Sequence, residues 1–274
     1  MPRIHFARRT EWNLAPNRLS LALAQHRAGG RPLVDLTASN PTQCGFGYDG
    51  TAILQALSQR ESLLYEPQPL GLEAARRSIS GYYAERGDRV APSHLLLTTS
   101  TSEAYSFVFR LLCNPADELL APVPSYPLFS FLADIQDVRL VHYPLSFDSE
   151  WAIDFPALER ALSPRTRGII VVHPNNPTGH YCRREEIARL STLAASRGIA
   201  LIADEVFWDF SLREVRAPSF AGNAETLTFT LSGISKIAGL PQMKAAWLAV
   251  SGPDAERSAA LERLAIIADT YLSM

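Results

Sequence analysis

One lysine stands among small residues and glycines in LSGISKIAGLPQMK (231–244), directly after an apolar run. An ammonium group is costly to bury unless it is paired or chemically used. Lys236 is therefore either a surface loop lysine or an amine put to work. Three other loops carry residues of comparable interest just beyond an apolar run: TSTSEAY after 94–98, PNNPTG after 168–173 and DEVFWDF after 199–203. Ser100, Thr101 and Ser102 precede a helical pattern with Glu103 close behind. That stretch can serve as a hydroxyl-rich helix cap, and its free amides, hydroxyls and positive helix end also suit a phosphate. Asp204 ends the run IALIAD, where a turn or cap carboxylate is common. Asn176 lies among turn formers, and the turn would deliver its amide side chain.

These residues need a scaffold, and the chain between them supplies its pattern. Short apolar runs occur at HLLLT (94–98), ELLAP (118–122), VRLVHY (138–143), GIIVVH (168–173), IALIAD (199–204), TLTFT (226–230) and AAWLAV (245–250). Several are nearly continuous Val, Ile and Leu, as in strands buried on both faces. Helical patterns lie between many of them, for example over 101–112 and 184–197, and a further helix is predicted over 12–28, ending at Gly29-Gly30. The alternation predicts an α/β fold: a mostly parallel seven-stranded sheet with helices on both faces. Ligands of such sheets sit beyond the carboxyl ends of the strands, where all four loops fall.

The totals narrow the function class. Of 274 residues, 47% are hydrophobic and 20% charged, with a formal net charge of −2. That balance offers no electrostatic case for nucleic acid or an anionic membrane. No apolar run is long enough to span a bilayer, and the basic N-terminus lacks the apolar core of a secretory signal. Cys44, Cys113 and Cys182 are odd in number and far apart. They fit neither a disulfide framework nor a metal-knuckle spacing, so the expectation is a cytoplasmic protein with no metal.

In order and spacing, PNNPTG (174–179), DEVFWDF (204–210) and SGISKIAGLPQMK (232–244) together resemble the class I/II aminotransferases, pyridoxal phosphate (PLP) enzymes of fold type I. YEPQPLGLEAAR (65–76) and TTSTSEAY (98–105) support the likeness, which runs from about residue 35 to the end. The resemblance implies a PLP-binding large domain over 43–250, preceded by an N-terminal arm and substrate segment (1–42) holding Ser39 and Asn40. It implies that Lys236 forms the Schiff base with PLP and moves a proton, and that Asp204 pairs with the pyridine nitrogen. Asn176 would donate to the phenolic oxygen, Tyr126 would stack on the ring, and Ser100, Thr101, Ser102, Ser235 and Lys244 would hold the phosphate, with Ser232 a weaker candidate. Tyr65 would reach the phosphate of a second subunit, which implies a homodimer. The implied reaction moves an amino group between an amino acid and a 2-oxo acid.

Three departures from the family stand out. Lys244 replaces the usual arginine and loses its bidentate fork. Phe207 replaces the usual tyrosine, which removes a hydroxyl from the phenolic oxygen and should raise the pKa of the Schiff base. Residues 251–274 read as the start of an interdomain helix, and the expectation is that the C-terminal domain with its carboxylate-gripping arginine is absent. β-Elimination or racemisation on the same fold, and a PLP-binding protein with little catalysis, are the alternative readings.

Overall fold

The computed structural model describes residues 4–37, 39–212 and 217–271. One compact unit runs to Leu57 and a second begins at Ser58. The first holds helix α1 (Arg18–Ala28), helix α2 (Gly50–Leu57) and two short 3-10 turns. Its predicted helix over 12–28 starts six residues late. Pro16 disfavours helix in the residue before it, and the Asn17 side chain caps α1 by accepting from the Ser20 amide at 2.8 Å.

The second unit is an α/β sheet. Its strands are β1 (Leu95–Thr98), β2 (Glu118–Val123), β3 (Arg139–Asp148), β4 (Glu150–Ile153), β5 (Thr166–Val172), β6 (Ala200–Asp204), β7 (Thr228–Gly233) and β8 (Ala246–Ser251). They lie in the order β1-β8-β7-β6-β5-β2-β3-β4. The sheet thus has eight strands rather than the expected seven. The added one, β4, folds back on β3 through Ser149, whose φ is +62°, and pairs antiparallel from Leu145↔Ile153 to Asp148↔Glu150. Strands β3, β2, β5, β6 and β7 run parallel to one another, and β8 is antiparallel to both β7 and β1.

The helices are α3 (Glu73–Ala84), α4 (Thr101–Leu112), α5 (Leu128–Asp134), α6 (Phe155–Ala161), α7 (Arg184–Arg197), α8 (Ile234–Ile237) and α9 (Asp254–Tyr271). Continuous apolar strands need cover on both sides. Side chains of α4, α5 and α9 close one face around Leu96, Ile170, Ile202, Phe229 and Leu248. Leu158 of α6 and Leu190 of α7 close the other over Leu120, Ile169 and Leu201. Chain direction across the sheet reverses between β2 and β5: β3 follows β2 to one side, while β6 and β7 follow β5 to the other. Such a reversal opens a crevice at the carboxyl ends of the strands.

Candidate active site

That crevice is a cavity of about 170 Å³, lined by Ser100, Thr101, Ser102, Tyr126, Val172, Asn176, Asp204, Val206, Phe207, Gly233, Ser235, Lys236 and Ala246. Each loop picked out from the sequence delivers side chains to it. Tyr126 comes from the loop after β2, Asn176 from that after β5, Asp204 from the end of β6, and Lys236 from α8 after β7.

One wall is the start of α4. The first amides of a helix have no intrahelical partner, so those of Thr101 and Ser102 are free for an anion. Ser100 caps the helix, its Oγ accepting from the Glu103 amide at 3.2 Å, which leaves its own proton to donate. Glu103 turns back: its Oε2 accepts from the Thr99 amide at 2.7 Å and the Thr99 hydroxyl at 3.1 Å.

Asp204 forms a buried part of the lining. The Val206 amide donates to Oδ1 at 3.1 Å and the Tyr105 hydroxyl to Oδ2 at 2.9 Å. Burial holds its carboxyl above the ordinary carboxylate range, against the pull of those two donors and the Lys236 charge. Tyr105, itself 2% exposed, was not expected at the site. It lies one helical turn beyond Thr101, so both face the same way from α4. That i, i+4 spacing was the signal that could have found it.

Lys236 is exposed at the cavity's open side, with Nζ 5.4 Å from the centre of the Phe207 ring. Two glycine-dependent features shape its surroundings. At Gly233 a Cβ would fall 2.9 Å from the Cβ of Ala246 and 3.0 Å from the Ala245 carbonyl, so only glycine lets β7 and β8 approach this closely. The loop carrying Asn176 closes at Gly179, with φ +73°, and its amide donates to the Asn175 carbonyl at 2.7 Å. The buried Asn175 side chain pins that loop to the end of β2 by donating to the Pro124 carbonyl at 3.1 Å. Asn176 itself is exposed.

Not every predicted residue lines this cavity. Ser232 points elsewhere: buried in β7, its Oγ faces the Glu205 carbonyl at 3.5 Å. Lys244 is exposed with φ +52° after a 3-10 turn, and Tyr65 is 79% exposed. Ser39 and Asn40 belong to the first compact unit, where Asn40 Oδ1 accepts from the Thr42 amide and hydroxyl at 3.1 and 2.7 Å.

The order of strands, the lysine after β7 and the carboxylate at the end of β6 invite comparison with known proteins. A family described as aminotransferase class I and II matches residues 33–274. The chain belongs to that family. Glutamate-pyruvate aminotransferase AlaA of Escherichia coli K12 is 27% identical over 245 residues, covering 89% of this chain and 60% of the relative. An alanine aminotransferase of Mycobacterium tuberculosis is 28% identical over 254 residues, covering 91% and 59%. The chain therefore spans about 60% of the length of these curated relatives. A solved aminotransferase from Escherichia coli superposes with a TM-score of 0.85 at 25% identity, covering 99% of this chain and 68% of that one. A mutant aspartate aminotransferase of Thermus thermophilus, 21% identical with a TM-score of 0.82 and covering 99% and 69%, bears on the fold alone. Among the described residues of this chain, no helix is long and apolar enough to cross a membrane.

Proposed function

We propose that this aminotransferase-family chain binds PLP in the cavity above and takes part in moving an amino group between an amino acid and a 2-oxo acid. One observation carries the reading: an amine, Lys236, and a buried carboxylate, Asp204, line the same cavity as an anion-ready helix start. Those donors suit a flat, phosphate-bearing pyridine. Thr101, Ser102 and Ser235 would hold its phosphate with the first amides of α4, Asp204 its ring nitrogen, and Asn176 its phenolic oxygen. Tyr126, about half exposed, would cover a ring face, and Lys236 would be joined to its aldehyde. Lys244 is a further cation for the phosphate. When bound, PLP supplies an electron sink that stabilises negative charge on a substrate carbon.

The protein's own groups do the rest. Asp204, with two donors fixing its oxygens, holds its carboxyl at one place in the cavity lining. Lys236, on a long and exposed stem, has the freedom to accept a proton at one atom and return it at another. Phe207 offers the cavity an apolar face where a tyrosine would add a donor.

The reading extends to partners. Tyr65 is exposed and does not line its own cavity, which supports a two-fold dimer in which it serves the neighbouring site. Ser39 and Asn40 are assigned to substrate contact by family resemblance. The cysteines are free, with Cys182 buried, which supports a reducing, cytoplasmic setting.

The test is to incubate the full chain with PLP, reduce with sodium borohydride and map the modified peptide. The expected result is a pyridoxyl group on Lys236, absent from Lys236→Ala. An unlabelled wild-type chain overturns the assignment. A panel of amino acids and 2-oxo acids then reports the reaction: paired keto and amino products support transfer, whereas keto acid plus ammonia replaces it with elimination.

A further inference from the structure

A second cluster of chemically capable side chains lies outside that cavity. His180, Cys182 and Glu186 bring a ring nitrogen, a thiol and a carboxylate oxygen within 4.8 Å of one another at the start of α7. All three are buried: the His180 and Glu186 side chains are 8% and 7% exposed, and Cys182 is 1% exposed. His180 Nε2 lies 3.1 Å from Glu186 Oε2, and this buried nitrogen makes no other polar contact among the described residues. A nitrogen and an oxygen that close match the edge of a tetrahedron around a metal with bonds of about 2.0–2.1 Å.

We propose that His180 Nε2, Cys182 Sγ and a Glu186 oxygen bind one Zn²⁺ ion. The set of one nitrogen, one sulfur and one oxygen suits zinc and disfavours magnesium or calcium. His180 would carry its proton on Nδ1. The Cys182 thiol gives its proton to buffer as the sulfur–zinc bond forms. Water completes the four ligands, entering from an adjoining cavity of about 490 Å³ that His180 and Cys182 both line. Supporting contacts are in place: Glu186 Oε1 accepts from the Ile153 amide at 2.9 Å and Oε2 from the Arg183 amide at 2.8 Å. Such outer contacts orient metal-binding carboxylates.

The ion would act on the loop that carries Asn176. His180's carbonyl accepts from the Asn175 amide at 2.8 Å, and its amide donates to Thr178 Oγ1 at 3.3 Å. Bound zinc therefore clamps that loop to α7. The site shares no residue with the PLP reading and stands or falls apart from it.

The full chain, kept reduced, is titrated with Zn²⁺ against a colorimetric chelator and with Co²⁺ as a spectroscopic probe. We expect one equivalent bound with a dissociation constant of roughly 0.1 µM, and tetrahedral Co²⁺ bands in the red, clear of cofactor absorbance. Cys182→Ser and His180→Gln should each weaken Zn²⁺ binding by about 100-fold or more and remove those bands. A Cys44→Ser/Cys113→Ser variant should keep them. The proposal is overturned if the folded wild-type chain shows no such bands, or if they persist in Cys182→Ser.

Discussion

The contact between Tyr105 and Asp204 is open to a sharp energetic test. Its 2.9 Å bond joins two buried groups and supplies one of two donors to the carboxyl. A hydrogen bond to a charged group contributes about 1.5–3 kcal/mol, and a buried acceptor left without its donor costs a similar amount. Tyr105→Phe should therefore lower the unfolding free energy by roughly 2 kcal/mol at pH 7 and leave Asp204 holding its proton more tightly. The partner variant reverses the sign. In an Asp204→Ala background the Tyr105 hydroxyl is buried without a mate, so replacing it with Phe becomes neutral or stabilising. The cycle should close with a coupling of roughly 2–3 kcal/mol. Urea unfolding of the four proteins without added PLP measures it, so the answer does not depend on turnover. Tyr105 also packs edge-on against Phe109 and Phe129, with ring centres 5.8 and 5.2 Å away. Phe keeps those ring contacts, so equal costs of Tyr105→Phe in both backgrounds would show that the hydroxyl does not act through Asp204 and refute the bond.

Burial pushes the carboxyl of Glu205 up to about 8, although the Phe220 amide and Ser219 hydroxyl donate to it. The folded chain then holds a proton that the unfolded chain releases near 4.5. That stabilisation is full below 4.5 and lost as pH rises towards 8. Glu205→Gln should flatten this slope, gaining a few kcal/mol at pH 9 relative to wild type; a melting series across pH checks it, and parallel slopes argue against it. Gly233→Ala forces a Cβ onto Ala246 and should cost about 1–3 kcal/mol while weakening PLP retention, measured by thermal unfolding and equilibrium dialysis. Phe207→Tyr places a hydroxyl near the site of Lys236 and should lower the pKa of the visible band of the PLP-loaded chain. An unchanged titration would remove Phe207 from that role.

All seven apolar runs of the sequence became strands, because continuous Val, Ile and Leu permit little else between two helical layers. Strand β4 escaped notice because Glu150–Ile153 is short and polar at its start, and only its register against β3 makes it a strand. The loops that gather at the cavity were legible because polar residues cluster there after apolar runs. Tyr105 was not, since its hydroxyl reaches Asp204 from inside a helix, across 99 residues of chain. Ser232 and Ser235 look alike in sequence, but the first lies in a strand buried on both faces and helix α8 presents the second to the cavity. The cluster at His180 has no cysteine spacing to announce it, because two of its three groups are histidine and glutamate.

Helix α4 has one more consequence. Its first residues form the anion-ready wall, and Tyr105, a single turn along, holds Asp204 at the other end of the same cavity. One rigid rod thus carries both the capped helix start and the donor to Asp204, so their spacing follows the geometry of α4 and not loops that drift independently. Under the PLP reading proposed above, a ligand one methylene longer between its phosphate and its ring would have to give up one end to keep the other.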